Sequence, residues 1–342
     1  MSISKPMAAL ASNAFHPINE LLDQSDLVEI CVNKPGEIFV ERLGGSQRME
    51  RLAVPELTRE RIRYMAERVA ALSNQFINEE NPLLSASLPG GERIQVVLPP
   101  ASADGGAFSI RKQSIRNLRL TDYSSNGRLA QINVADELNA YTEDELELSR
   151  LLQANEITRF LSEAVKRRFS ILISGGTGSG KTTFLNALLA EIPEGERVLT
   201  IEDTLELTPP QENVVRLVAS RGEQGISAVS ARKLVEASLR MRPDRLLLGE
   251  IRGEEAIDLL QAINTGHPGS LTTIHANSPR EAYSRLALLI LQSGTVNLTR
   301  QEIIDYLKST LPIVVQISRK NGSQGFISDI YFEAHANARQ RH

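Results

Sequence analysis

The stretch Gly175-Gly176-Thr177-Gly178-Ser179-Gly180-Lys181-Thr182 constrains this chain more than any other. It has the form G-x-x-x-x-G-K-[ST], the pattern of a phosphate-binding loop. The apolar run 169–174 ahead of it reads as a buried strand, and 183–190 behind it reads as a helix. Strand, glycine loop and helix is the context such a loop requires. Glycines let successive backbone N–H groups turn toward one point, and the helix N-terminus adds partial positive charge there. Lys181 is then expected to reach the β- and γ-phosphates, and the Thr182 hydroxyl to bind Mg²⁺. With Thr183 beside it, the segment is the expected nucleotide cradle.

The rest of the chain divides around this loop. At 342 residues it should hold two domains. Ahead of the loop, strands are expected at 27–32 and 37–42 around the turn Asn33-Lys34-Pro35-Gly36. A helix at 58–72 starts at Thr58, with Ile62, Met65, Ala66, Val69 and Leu72 on one face. Further strands read at 83–88, 93–98 and 107–111. Residues 1–112 therefore form a small α+β domain on an antiparallel sheet, beginning with a loose arm at 1–16 and one short helix at 17–22. A basic run, 111–128, and an acidic run, 136–147, mark 113–148 as an interdomain linker.

From 149 the pattern changes to strands alternating with helices, the signature of a parallel α/β sheet. A helix at 151–168, strands at 198–201, 245–250 and 269–275, and helices at 229–241, 254–263, 280–291 and 299–310 are expected. A hairpin of 313–317 with 326–332 around Asn321-Gly322-Ser323 closes the chain.

Composition removes several function classes. The net charge of −4 gives no global basic field for nucleic acid, and the absence of Trp with only 4% aromatics argues against a base-stacking surface. No sequence-specific nucleic-acid binding is expected. The single Cys31 excludes a disulfide framework and a multi-cysteine metal site. The N-terminus is too weakly apolar for a signal peptide, and no run of about 18 apolar residues is present to span a membrane.

Three further stretches carry chemistry. The run Leu246 to Leu248 followed by Gly249-Glu250 reads as a Walker B strand, which delivers an acid at its carboxyl end, where open α/β sheets bind ligands. Glu250 is placed to orient Mg²⁺ through water. Glu202, Asp203 and Glu206 follow the preceding strand, so one of them is a candidate to polarise the attacking water. His267 lies before the strand 269–275 and His275 at its end, and both are candidates to sense the γ-phosphate.

Taken together, GGTGSGKTT, TIEDTLEL, RPDRLLLGEIRG and TGHPGSLTTIHAN resemble the Walker A, Asp, Walker B and His boxes of the type II/IV secretion ATPase superfamily. In the first half, EICVNKPGEIFVE, LPGGERIQVVLPP and FSIRKQ resemble the hexameric export ATPase of bacterial type IV secretion systems. The resemblance implies a RecA-like P-loop NTPase domain with a smaller N-terminal PAS-like domain. It also implies ATP and Mg²⁺ as cofactors and a homohexamer that powers export or pilus assembly. Partners would be other cytoplasmic and inner-membrane components of the machine, with peripheral contact to the membrane. Arg93 and Arg111 should, by this resemblance, reach the phosphates from the N-terminal domain, which would swing as nucleotide turns over. Arg240 and Arg242 are candidates to act on a neighbouring subunit. Two other readings are a pilus or type II secretion motor and a nonhydrolytic ATP-gated scaffold. Type II motors usually carry a multi-cysteine zinc insertion, which one cysteine cannot form. Retraction motors usually carry an AIRNLIRE-like stretch where this chain reads Asn277-Ser278-Pro279-Arg280-Glu281-Ala282-Tyr283. Intact Glu202, Glu206 and Glu250 argue against the scaffold.

Overall fold

The computed structural model describes residues 13–46, 48–112, 119–125, 127, 129, 141–220, 226–294, 297–319 and 324–340. Much of the expected linker (113–118, 126, 128, 130–140), most of the expected N-terminal arm (1–12) and the turn 321–323 lie outside these residues.

The N-terminal sheet contains β1 (Leu27–Val32), β2 (Gly36–Arg42), β3 (Glu50–Val54), β4 (Leu83–Ser87), β5 (Arg93–Val97) and β6 (Ala107–Arg111). Its order is β3-β2-β1-β6-β5-β4, with every neighbouring pair antiparallel. The helix Arg59–Leu72 begins where the Thr58 side chain accepts the Arg61 N–H. It buries Ile62, Met65, Ala66 and Val69, the i, i+3, i+4, i+7 face, in one core with Ile30, Ile38, Val96 and Phe108.

The C-terminal sheet contains β7 (Ile171–Gly175), β8 (Val198–Glu202), β9 (Val214–Val218), β10 (Arg245–Leu248), β11 (Leu271–Ile274), β12 (Ile313–Ser318) and β13 (Phe326–Phe332). The order is β13-β12-β7-β11-β10-β8-β9. All neighbours are parallel except the closing pair β12 and β13. Covered on both faces, the central strands are continuous apolar runs. Alternate side chains nevertheless go to opposite sides. Ile171 and Ile173 join Phe160 and Leu185 in one core, while Leu172 joins Leu234, Leu260 and Leu286 in the other. Helices therefore pack on both faces, as the RecA-like α/β class requires.

The helix expected at 151–168 is two helices, Glu143–Gln153 and Ile157–Lys166. Asn155, in a left-handed conformation with φ 59°, turns the chain between them. The first reaches back into the segment read as linker because Thr142 and Glu145 form a capping box. Glu143, Asp144 and Glu145 occupy its first turn, where the helix dipole favours negative charge. Sequence reading also missed β3, β9 and the terminal helix Glu333–Gln340.

The two sheets meet along the β9 edge. Val97, Ala101 and Ala107 belong to the same core as Val215, Leu217 and Leu234. Ser102 makes an isolated bridge with Leu217, and the Val218 N–H donates to the Ala101 carbonyl over 2.9 Å. Behind this lies a buried polar seam. Arg197 is fully buried. Its Nη1 donates to Asn33 and Asn213 over 2.5 and 2.6 Å, and its Nε donates to the Met241 carbonyl over 3.0 Å. Arg242 Nε donates to Glu41 over 2.6 Å, and Arg216 pairs with Asp104. Glu29, 2% exposed, is pushed up to about 7 by burial, against the pull of Arg111, Arg197 and Arg242. Among the described residues no helix is long and apolar enough to cross a membrane.

Candidate active site

The phosphate loop leaves the carboxyl end of β7. Gly178 (φ 68°) and Gly180 (φ 95°) take left-handed conformations, and Gly180 caps the helix Lys181–Leu189. The loop is backed by the closing hairpin. A Cβ on Gly325 would overlap the Ser179 carbonyl oxygen, and one on Gly175 would fall 2.6 Å from the Ile317 carbonyl. Both positions require glycine because backbone presses on backbone. Arg319, just past β12, donates from Nη1 to the Gly178 carbonyl over 3.4 Å.

In front of the loop a cleft of about 400 Å³ runs along the carboxyl ends of β7, β11, β10, β8 and β9. From the loop itself, Thr177, Gly178, Lys181 and Thr182 line it. Gly175 ends the strand beneath them, Ser179 is buried, and Thr183 faces outward from the helix. Glu202, Asp203, Glu206, Glu250 and His275 line the same cleft, so the acids and one histidine expected at the site converge there.

A continuous polar chain crosses the cleft floor. Lys181 Nζ donates to the carbonyls of Gly175 (3.0 Å) and Gly176 (2.9 Å) and lies 3.2 Å from His275 Nδ1. An ammonium has only donors, so Nδ1 must accept and Nε2–H points outward. That Nε2 lies 3.0 Å from Glu250 Oε1. The other Glu250 oxygen accepts from Arg252 Nη2 over 2.6 Å, and Arg252 Nη1 reaches Asp203 Oδ2 over 2.6 Å. Glu255 Oε1 holds this turn by accepting the N–H groups of Arg252 (2.6 Å) and Gly253 (2.8 Å). Burial lowers the pKa of Lys181, opposed by the Glu250 charge. Such an ammonium is ready for stronger anionic partners than backbone carbonyls.

Glu202 is 5% exposed at the end of β8. Its Oε1 accepts the backbone N–H groups of Glu206 and Leu207 over 2.8 and 2.9 Å, whereas Oε2 has no partner among the described residues. Burial raises its pKa more than those bonds lower it. A carboxylate with one anchored oxygen and one buried oxygen left without a partner keeps an unused acceptor beside the cleft. Glu206 is exposed at the rim. Thr182 and Glu250 supply the hard oxygen donors that Mg²⁺ prefers, and the ion ordinarily completes its shell with water and phosphate. The described residues contain no group of three or more His, Cys, Asp or Glu that would hold a metal alone.

Four of the expected residues lie outside this cleft. His267 is not in the cleft. It precedes β11, at the amino edge of the sheet, where its Nδ1 lies 3.0 Å from the Pro243 carbonyl. Arg93 and Arg111 do not line the cleft of their own chain either. They face each other in the β5–β6 register at the end away from Val97 and Ala107, the end that packs on β9. The cleft is accordingly walled by the C-terminal unit alone, not by both domains. Arg242 is held by Glu41 and Asp244 at the seam of its own chain. Sequence reading missed Arg252, although a cation two residues past the Walker B acid was the available signal.

A largely parallel sheet with a glycine loop at the carboxyl end of one strand, and helices on both faces, is the architecture of the RecA-like α/β class. Residues 11–326 match the family described as Type II/IV secretion system protein, and the chain belongs to that family. It is similar to the Type IV secretion system protein VirB11 of Bartonella quintana (strain Toulouse), 38% identical over 97% of this chain and 95% of the relative. It is also similar to Protein VirB11 of Rhizobium radiobacter, 38% identical over 87% of each chain. Among solved structures it matches the VirB11 ATPase from the Brucella suis type IV secretion system, in complex with sulphate. That TM-score is 0.88, at 36% identity over 96% of this chain and 99% of the other.

Proposed function

We propose that this chain is the ATPase of a type IV secretion system, hydrolysing ATP to ADP and phosphate with Mg²⁺. The observation that carries the reading is the convergence of Lys181, Thr182, Glu250 and His275 on one cleft at the carboxyl edge of the sheet. Its support is the family and the near full-length similarity to VirB11 proteins. Lys181 exchanges its carbonyl partners for the β- and γ-phosphates, and the loop N–H groups complete the cradle. Mg²⁺, when bound, neutralises developing phosphate charge. Thr182 and Glu250 are the residues that would hold it. Glu202 Oε2 or Glu250 takes the proton from the attacking water, the two carboxylates being the acids best placed on the cleft floor.

The working assembly is a homohexamer acting with other cytoplasmic and inner-membrane components, in peripheral contact with the membrane. Because Arg93 and Arg111 are turned from their own cleft, any phosphate contact they make falls on a neighbouring chain. The test is phosphate release by the full chain with ATP and Mg²⁺, with native mass measured in parallel. Turnover that stops on chelation and a ring of six support the reading. A stable monomer without hydrolysis, with ATP bound, points to an assembly switch instead.

A further inference from the structure

Among the described residues, the cleft contains few cations for a site meant to receive three phosphates. Lys181, Arg252 and His275 are the basic side chains of the described residues that line it, and Arg93 and Arg111 are not among them. Lys181 belongs to the loop and serves the β- and γ-phosphates there. His275 is fixed between Lys181 and Glu250. Arg252 differs: its side chain is 53% exposed at the rim, and its guanidinium bridges two carboxylates on neighbouring strands, Asp203 after β8 and Glu250 after β10. Its backbone is fixed by Glu255, so the side chain can move while the turn stays. Both oxygens of Glu250 are meanwhile occupied, Oε1 by His275 and Oε2 by Arg252. In this arrangement each Glu250 oxygen already carries one basic partner, so a water would compete with both for the carboxylate.

We propose that Arg252 is a catalytic arginine acting within its own chain, parked on Glu250 and Asp203 until a γ-phosphate draws it across the cleft. The proposal rests on the ATPase reading above. A γ-phosphate brings more negative charge than a single carboxylate and matches the guanidinium fork in geometry. When Arg252 transfers, Glu250 Oε2 is released at the moment the phosphate arrives. One movement then supplies a cation to the transferring phosphoryl group and opens the carboxylate. ADP lacks the γ-phosphate and leaves Arg252 on its carboxylates, so the residue distinguishes the two nucleotides.

The experiment compares full-length wild type, Arg252→Ala and Arg252→Lys. It measures ADP and nonhydrolysable ATP-analogue affinities with Mg²⁺, and kcat and KM for ATP. Arg252→Ala is expected to weaken analogue binding about tenfold or more, the loss of one charge-assisted contact, while ADP binding stays within about twofold. Its kcat should fall about 10²- to 10³-fold. Arg252→Lys should recover part of the analogue affinity and less of kcat, because lysine keeps the charge without the fork. If both affinities change in parallel, or if Arg252→Ala raises kcat, Arg252 merely restrains Glu250 and the proposal is overturned. Thermal unfolding of each variant separates misfolding from a lost contact. Failure of the ATPase reading looks different: wild type binds both nucleotides without turnover, and the ADP-versus-analogue comparison still decides where Arg252 points.

Discussion

At the seam between the sheets, Arg197 is fully buried, and its Nε and Nη1 end on two asparagine oxygens and a backbone carbonyl. In the cleft, Arg252 is half exposed, and its nitrogens end on two carboxylates. Buried charge survives only with good, fixed partners, since breaking such a set leaves an uncompensated ion away from water. Charge at a wet rim is cheap to move, because water replaces whichever partner leaves. The seam therefore reads as a fixed joint and the cleft as a set of exchangeable contacts. The β9 edge ties the N-terminal sheet down in its own chain through shared core as well as polar contacts. That finding changes the expected mechanics. A freely swinging N-terminal domain would have to expose Val97, Ala101 and Ala107 and strand Arg197.

The contrast makes opposite demands on two variants. Lys181→Ala should abolish turnover, a loss of at least about 10³-fold on the scale of phosphoryl-transfer cations, with the unfolding midpoint close to wild type. Wild-type turnover in that variant would remove the loop from the chemistry. Arg197→Ala should do the reverse, costing about 1–3 kcal/mol in denaturant unfolding, as buried acceptors lose their donor, while the folded fraction still binds nucleotide. A cost below about 1 kcal/mol would show the seam to be a loose contact.

Glu29 sharpens the same contrast through pH. Burial lifts it from 4.5 to about 7 in the folded chain, so the folded state holds a proton that the unfolded state releases earlier. Its contribution is fully present below about pH 4.5 and is lost as pH rises to about 7. Glu29→Gln should flatten that component of stability against pH. An unchanged slope would place the proton elsewhere. The smallest effect is expected for Glu41→Gln at the seam margin, about 1 kcal/mol, because Arg242 keeps Asp244 as a second acceptor. Additive loss in the double variant with Arg197→Ala would show that the two seam contacts act independently.

What the sequence made legible was what local pattern controls. The glycine loop, the apolar strands and the capped helices follow from spacing and side-chain type: Thr58 caps its helix as read, and Thr299 caps the helix expected at 299–310. β9 escaped because its residues alternate at a sheet edge and carry Arg216 in the middle. Asn155 broke one expected helix through a backbone conformation that its periodicity did not reveal. Within the site, Lys181, Glu250 and His275 were readable because each ends or follows a strand at the same edge. His267 looked equivalent but lies at the other end of β11, and only strand direction separates the two. The placement of Arg93 and Arg111 has a tertiary cause: which end of the β5–β6 pair meets the C-terminal sheet is written in neither strand. Arg197 and Arg245 are fully buried, although residue type alone would put arginine at the surface.

The tight fit of Gly325 on the Ser179 carbonyl has a mechanical side. β13 runs from that contact into the helix Glu333–Gln340, which packs on the helix Glu143–Gln153. Phe332 anchors the end of β13 between Phe160 and Phe169, with ring centroids 5.8 and 5.9 Å away. A strand is stiff along its length, and two backbones in van der Waals contact have no side chain between them to act as a cushion. Tension entering at Thr142 thus meets a short, low-compliance path that ends on the loop holding Lys181. The same hairpin that closes the sheet is a lever arm, and its short end rests on the phosphate cradle.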